Sequence, residues 1–425
     1  MQKQIQIANI FLGFFLLTVF LGCADKPSFQ FNVVAKKEAE GDAPFSEQQV
    51  QDVANILTAL FGTPDDPAMP NANSFHWYLQ YDEGYAEEFA DLVDFENLKR
   101  SAGPVSSDEN GNSRGLYREH CAHCHGISGG GGGPTALTLN PYPRDFRHGV
   151  YKFKSTAGKA RPTDDDLMHI INEGIPGTSM PSFKVAINDD EKKALVDYVK
   201  YLSLRGEIER LLWTMTSELD KGERLPLVFA DGYEKLTEDE KENLMGWFEE
   251  EGAKVESLFK SWLKAKTSPT VKQPPAAPES LDPKHPEHST LIAQGREIFH
   301  GKAGDCKSCH GFTGYGDGEL NNFDVWNQWA KGKSDDYIAE FVNEGVLPPR
   351  TIVPRNFRNG VFRGGRDPNT LYRRIKEGIQ GAQMPNAATL TDDQIWSLVA
   401  YVRNIKSEPI TGGQSHQPVN DKPIN

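Results

Sequence analysis

The sequence has fewer basic than acidic residues and few cysteines, and it has almost no apolar run long enough to span a membrane. Its 425 residues hold 46 lysines and arginines against 60 aspartates and glutamates, a formal net charge of −14. A nucleic-acid-binding protein needs a basic face for the phosphate backbone, so this balance argues against that class. After residue 22 no stretch is apolar enough to cross a bilayer. The acidic surface suits a partner with a basic docking surface, or it serves plain solubility.

The chain has only five cysteines, and four of them fall in two matching C-x-x-C-H runs. The runs comprise Cys121, Cys124 and His125, and Cys306, Cys309 and His310. This spacing is that of covalent c-type haem attachment. On a helix, residues three and four apart share one face, so two thiols and one imidazole can meet the same flat ring. The thiols would form thioethers to the vinyl groups and each histidine would ligate iron, which predicts two covalently bound haem c groups.

Zinc binding is the other chemistry that C-x-x-C serves. A zinc site needs two further Cys or His ligands beside each run, and none recurs between the two copies. The adjacent histidine is also in the wrong place for a zinc finger. We therefore prefer the haem interpretation.

The fifth cysteine lies in a pattern typical of a bacterial lipoprotein signal. Lys3 precedes a largely apolar run over residues 5–21, and a glycine stands just before Cys23. Residues 1–22 would be the signal peptide, and Cys23 would carry the lipid. Phe20 departs from the usual aliphatic residue at its position, so an uncleaved anchor or an ordinary secretory signal stays open. Each alternative places the protein outside the cytoplasm, and we expect the periplasmic side of a bacterial membrane.

Two parts of the chain repeat one another, each beginning with its C-x-x-C-H run. Residues 143–151 reappear as 354–362, and residues 173–181 reappear as 377–385. The repeat predicts two haem modules, at residues 101–206 and 289–408.

The second module is longer than the first. His310 lies 44 residues before Pro354, whereas His125 lies 18 residues before Pro143, so the second copy holds 26 additional residues. We interpret this insertion as an added helix with flanking loops. Its role is either packing or the docking of a partner.

The rest of the chain divides into three segments beside the signal. Residues 23–100 form an N-terminal extension with one helix, because apolar spacing between Phe45 and Phe61 is helical and Ser46 begins a capping box. We interpret residues 207–288 as a helical and Pro-rich linker and residues 409–425 as a disordered tail. The predicted fold class is all-α, with two helical haem domains joined by that linker.

Met180 and Met384 are the candidates for the sixth ligand of each iron. Both follow a glycine-containing loop, both precede proline, and both occupy the same position of the repeat. A methionine usually fills a core, but matched positions among only seven methionines favour ligation. A neutral thioether favours ferrous iron and raises the potential. His148 and His169 are alternatives in the first module, yet no histidine stands at the matching positions of the second, so a surface or propionate-side place suits them better.

With these motifs the chain resembles two class I cytochrome c domains in tandem, of the His/Met-ligated kind. The resemblance covers about half of the chain, up to the helices that contain Tyr198 and Tyr401. It implies a small all-α fold around haem, in which the first and last helices cross at Gly115 or Gly295. It also implies that the carbonyl of a proline, Pro134 in the first module, accepts the N–H of the proximal histidine. The second module has no proline at that place.

The resemblance implies an electron-transfer protein and not an enzyme. We expect a membrane-anchored carrier of single electrons, with a quinol-oxidising complex, a dehydrogenase or a terminal oxidase as partners. A fixed electron-transfer subunit of a larger oxidoreductase stays open, because residues 24–100 and 207–288 have no evident haem chemistry. A di-haem peroxidase is the weaker alternative, since it needs an open iron with acid–base residues over it.

Overall fold

The computed structural model describes residues 27–69, 91–105, 115–220, 223, 225, 237–318 and 323–409. In that part of the chain every regular element is a helix, and pairing of β type is limited to isolated bridges. The predicted all-α class is therefore confirmed. No helix among these residues is long and apolar enough to span a membrane. The signal segment with Cys23, and the tail from residue 410, lie outside the described residues.

The N-terminal extension was predicted to contain one helix, but two lie within its residues 27–69, α1 (Val33–Glu40) and α2 (Glu47–Phe61). The helix predicted between Phe45 and Phe61 is confirmed, because Ser46 and Gln49 form the expected capping box at the start of α2. Its apolar face is buried, with Val53, Ile56, Leu57, Leu60 and Phe61 almost inaccessible.

The first module is built from five helices within the described residues. They are α3 (Phe95–Ser101), α4 (Leu116–His120), α5 (Ala122–His125), α6 (Asp164–Glu173) and α7 (Asp189–Ser217). A capping box starts both α6 and α7, so the polar residue before each helix satisfies a free backbone N–H. Helix α3 lies against α7, where the Nδ2 of Asn97 donates to the Oδ2 of Asp197 at 2.8 Å.

Helix α7 does not end at residue 206, where the boundary of the first module was predicted. It continues to Ser217 because Ile208, Leu212 and Trp213 keep presenting an apolar face to the same core. Gly206 permits a close approach, since a Cβ there would lie 2.3 Å from the Cβ of Arg147. The start of the predicted linker is therefore a buried part of the first module's core.

The described residues from 237 onward contain six further α-helices. They are α8 (Glu238–Thr267), α9 (His288–His300), α10 (Lys307–His310), α11 (Asp335–Asn343), α12 (Pro368–Glu377) and α13 (Asp392–Asn404). Helices α9 and α13 cross at Gly295, where a Cβ would lie only 2.0 Å from the carbonyl oxygen of Ser397. The crossing at Gly295 is therefore confirmed for the second module.

Gly115 does not play the matching role in the first module. It precedes α4 with φ +68°, a conformation that favours glycine, and a Cβ there would lie 2.4 Å from the carbonyl oxygen of Pro104. The expectation of a helix crossing at Gly115 is wrong, because the atoms that a Cβ there would meet belong to Gly103 and Pro104 and not to α7. Helix α4, which follows Gly115, does contact α7, and Tyr117 lies 4.9 Å from Tyr198 between ring centres.

The segments outside the modules pack on the first module. Its core includes Phe61 of α2 and both Phe259 and Trp262 of α8. The indole Nε1 of Trp262 donates to Glu207 of α7 at 2.8 Å. The second module has a separate core around Trp396 of α13. The helix in the region predicted as linker is thus a packed element of the first module.

The insertion of the second module contains the predicted added helix, α11. Trp329 stacks on Phe341 of α11 with ring centres 4.6 Å apart, and Val34 of α1 packs on this small cluster. Lys37 of α1 pairs with Glu344 at 2.7 Å. These contacts give the insertion a packing role, which was the first of its two predicted roles.

Candidate functional site

Both C-x-x-C-H runs lie on one-turn helices, α5 in the first module and α10 in the second. Each helix ends at a glycine with positive φ, Gly126 at +73° and Gly311 at +77°. The helical geometry predicted for the runs is therefore present. It places the histidine of each run on the same side as the first cysteine, four residues before it.

The two candidate iron ligands are held in the same way. The Nδ1–H of His125 donates to the carbonyl oxygen of Arg144 at 2.9 Å, and that of His310 donates to Arg355 at 3.2 Å. Burial lowers the pKa of both imidazoles to about 4, so both are neutral at physiological pH. In this tautomer the lone pair of Nε2 is free for a metal.

The expectation that Pro134 accepts the proximal N–H is wrong. The acceptors are Arg144 and Arg355, which stand at matching positions of the repeat. The absence of a proline in the second module therefore does not leave the His310 N–H without an acceptor. The loop after the motif brings a distant segment to the ring, and spacing along the chain does not reveal this.

A phenylalanine stacks on each candidate ligand ring. Phe146 lies 4.6 Å from the centre of His125 at 18°, and Phe357 lies 4.4 Å from His310 at 24°. Both belong to the repeated segments 143–151 and 354–362, which were recognised as a repeat without a role. The repetition itself was the signal that could have found these supporting residues.

The loops that carry Met180 and Met384 have the same backbone hydrogen bonds. The N–H of Ile175 donates to the carbonyl oxygen of Met180 at 3.1 Å, and the N–H of Ile379 donates to that of Met384 at 3.1 Å. Each loop directly follows the helix before it, α6 or α12, at a glycine with positive φ. The two methionines are thus presented by equivalent structures.

A single continuous cavity of about 2580 Å³ contains the candidate residues of both modules. Its lining includes all eight residues predicted for haem attachment and ligation: Cys121, Cys124, His125, Met180, Cys306, Cys309, His310 and Met384. This volume exceeds the roughly 300–1,000 Å³ of a typical single small-molecule site. The cavity has room for two large groups side by side.

The residues around the cavity fit haem c. Soft thioether and neutral imidazole donors suit an iron porphyrin, and cationic side chains suit its propionates. The Nε atoms of Arg355 and Arg363, which border the cavity, are buried without a hydrogen-bond partner among the described residues. Attachment and ligation at the eight positions themselves stay predictions.

The geometry gives no support to the zinc alternative. Within the described ranges no three side chains of His, Cys, Asp or Glu converge as a metal cluster.

The two alternative histidines of the first module occupy different environments. His169 is exposed, as predicted. His148 is buried at the cavity, where the Nη1 of Arg210 lies 3.1 Å from its Nδ1. Burial lowers the pKa of His148 to about 4. Of the two places predicted for His148, its position at the cavity agrees with the one near haem propionates and not with the surface.

The two modules face each other about an approximate twofold axis. A Cβ on Gly381 would lie 2.9 Å from the Cγ1 of Val150, and one on Gly177 would lie 3.0 Å from the Cγ1 of Val361. Each pair joins the methionine loop of one module to the repeated segment of the other, as in an isologous dimer. The methionine loop of each module therefore contacts the other module.

Comparison with known proteins gives this geometry a context. The sequence model of a family described as cytochrome c oxidase, cbb3-type, subunit III, matches residues 109–199 and 290–402, just under half of the chain. Cytochrome c55X of Paracoccus denitrificans is 28% identical over 98 residues, which cover 23% of this chain and 79% of that protein.

These two matches support a c-type cytochrome. Domains of this kind imply covalently bound haem c and electron transfer, and the two family matches fall on the two repeats. A chain of the reducing HAO-like protein complex of Kuenenia stuttgartiensis is also similar to this chain. The similarity covers 68% of this chain and 94% of that one, with 24% identity and a TM-score of 0.41.

Proposed function

We propose that the chain is a di-haem c-type cytochrome that carries single electrons between partners outside the cytoplasm. The observation that carries this proposal is the duplicated site. In each module a buried neutral histidine, two thiols and a methionine loop border one shared cavity. The supporting carbonyl and the stacked phenylalanine are duplicated as well.

Each residue type has a distinct role in this proposal. The cysteines hold the group covalently, and His125 and His310 offer Nε2 while a backbone carbonyl fixes the ring orientation. Met180 and Met384 would offer a thioether as the second protein ligand of each iron and would keep other ligands away. Haem c, when bound, supplies a one-electron couple. A single cavity lined by the candidate residues of both modules supports passage of the electron between them.

The proposed location and partners rest on the sequence. A lipid on Cys23 would hold the protein on the periplasmic side of a bacterial membrane, near a quinol-oxidising complex, a dehydrogenase or a terminal oxidase. We favour a mobile carrier over a fixed subunit. The segments that had no evident role, from α1 to α2 and along α8, are used for packing on the first module.

Haem content and the methionine ligands provide the direct test. Acid–organic extraction of the purified protein should leave two haems per chain on the polypeptide. Met180→Ala and Met384→Ala should each remove about half of the far-red sulfur-to-iron band of the oxidised protein. Met168→Ala is the matched control, since Met168 packs on the first module's core, and it should keep the full band.

Two results would contradict the proposal. Haem that moves entirely into the solvent would exclude covalent attachment. A full far-red band in both ligand variants would place the sixth ligands elsewhere. Steady turnover of peroxide by a stable five-coordinate iron would instead favour the peroxidase alternative.

A further inference from the structure

Two pairs of partly buried cations border the cavity, one pair in each module. Arg144 and Lys152 belong to the first module, and Arg355 and Arg363 stand at the matching positions of the second. The backbone carbonyl of each pair's first arginine accepts the N–H of the candidate iron ligand. Each pair therefore lies beside one iron site. Carboxylates are the natural partners of buried cations, and haem carries two of them as propionates.

The first pair already has a carboxylate from the protein. The Oδ2 of Asp324 lies 3.1 Å from the Nζ of Lys152, and both side chains are mostly buried. Trp326 covers Arg144, with the guanidinium carbon 3.4 Å from the ring centre, and its Nε1 donates to the carbonyl oxygen of Asp145 at 3.1 Å. Asp324 and Trp326 both belong to the insertion of the second module. One module thus supplies a negative charge to the iron site of the other.

The second pair has no such carboxylate. Arg355 and Arg363 form no ion pair and donate no side-chain hydrogen bond to any residue that the structure describes. Burial lowers the pKa of both, and the charge of Arg355 lowers that of Arg363 further. Asn356 also stands where the first module has Asp145. The second iron site therefore has two fewer buried carboxylates than the first.

Other charges do not reverse this difference. Asp145 is shared with Arg147, whose Nε and Nη2 lie 2.9 Å from its two oxygens. Asp305 and Asp317 lie near the second C-x-x-C-H run, but both are exposed, so water and salt screen them. The buried charges near the two sites remain unequal.

We propose that Asp324 holds the reduction potential of the haem on His125 below that of the haem on His310. This inference rests on the two-haem function proposed above. A carboxylate held in a mostly buried place favours ferric iron, which carries one more positive charge than ferrous iron, and a guanidinium with no protein carboxylate beside it favours ferrous iron. With both haems bound, the single electron of a half-reduced chain would favour the iron at His310 over the iron at His125. No proton or atom moves with it.

The test is a redox titration of the complete haem-loaded protein with visible spectra. Asp324→Asn keeps the shape of the side chain and removes its charge. It should raise the lower potential and reduce the preference of the electron for the second haem at least tenfold, which is about 59 mV for one electron. Asp336→Asn is the matched control, because Asp336 is an exposed carboxylate of the same insertion, and it should move neither potential.

A second pair of variants acts on the other site. Arg363→Gln removes a cation there, and Asn356→Asp installs the carboxylate that the first module has, so both should lower the higher potential. The Met180→Ala variant assigns the couples, because only the second haem then keeps its far-red band.

The outcomes separate this inference from the function on which it rests. Fewer than two haems per chain would overturn both. Two haems whose potentials stay unchanged in Asp324→Asn and Arg363→Gln would overturn the inference and leave the function standing. A rise of the higher potential alone in Asp324→Asn would also overturn it. If Asp324→Asn does not fold, a higher potential that stays unchanged in both Arg363→Gln and Asn356→Asp overturns the inference.

Discussion

Replacing Gly295 by alanine should weaken the second module and leave the first unchanged. The added Cβ would lie 2.0 Å from the carbonyl oxygen of Ser397 and 2.8 Å from the Cβ of Tyr401. Neither atom belongs to a flexible side-chain end, so helices α9 and α13 must move apart. The close crossing of these two helices is what the substitution tests.

The magnitude follows from two opposing effects. Alanine stabilises a helix interior by about 0.5–1 kcal/mol relative to glycine. Overpacking of a well-packed core costs about 1–3 kcal/mol, and a backbone clash without rotamer relief lies at the upper end. We therefore expect the free energy of unfolding of the second module to fall by about 2 kcal/mol. Its open population should rise roughly 30-fold.

Amide hydrogen exchange measured by peptide is the suitable assay, because it reports each module separately. Peptides from α9 and α13 should exchange faster in Gly295→Ala, while α7 should not change, since the two modules have separate cores. Gln294→Ala is the matched control, as Gln294 is exposed on the same helix. Unchanged or slower exchange in α9 and α13 would refute the close crossing.

Three further predictions concern acid, the membrane and salt. Burial raises the pKa of Glu408, but hydrogen bonds from Tyr401 and Arg296 outweigh it and lower the pKa below 4.5. The charged carboxylate therefore stabilises the fold above about pH 4.5 and loses this effect as the pH falls through the lowered pKa. In acid denaturation, Glu408→Gln should remove up to about 1 kcal/mol of this pH-dependent stability. Cys23→Ser with a working signal should move the protein to the soluble periplasmic fraction, and retention in the membrane at high salt would indicate another anchor. The second-order rate of electron exchange with a basic partner should fall as salt rises, because the chain carries −14 and steering is screened; a salt-independent rate would favour a permanent complex.

The sequence predicts a helix well where capping residues and apolar spacing within the helix itself determine its bounds. The capping box at Ser46 and the periodic apolar residues after it are enough to define α2. The C-x-x-C-H runs and the methionine loops were recognisable for a similar reason, since each consists of a few residues at fixed spacing. Their duplication then separated them from chance matches.

Contacts between distant segments were beyond reach of the same reasoning. The acceptor of the His125 N–H is 19 residues away, on a loop whose path depends on the whole module. The burial of Trp262 against Glu207 joins residues 55 positions apart, and nothing near either residue indicates the other. The helix at residues 238–267 therefore looked like a charged linker, although one face of it completes a core.

The repeat carries two kinds of information, and they bear on different parts of the function. Where the copies agree, as at Arg144 and Arg355, the shared role belongs to the backbone, because each carbonyl accepts the N–H of a candidate iron ligand. Where the copies differ, the side-chain environments differ too, and Asp324 reaches only one of the two arginines' sites. Agreement between copies thus builds two equivalent ligand sets, whereas the insertion that breaks the repeat makes their electrostatics unequal. Two identical haem sites would have equal reduction potentials, so a preference of the electron for one site needs a difference of this kind.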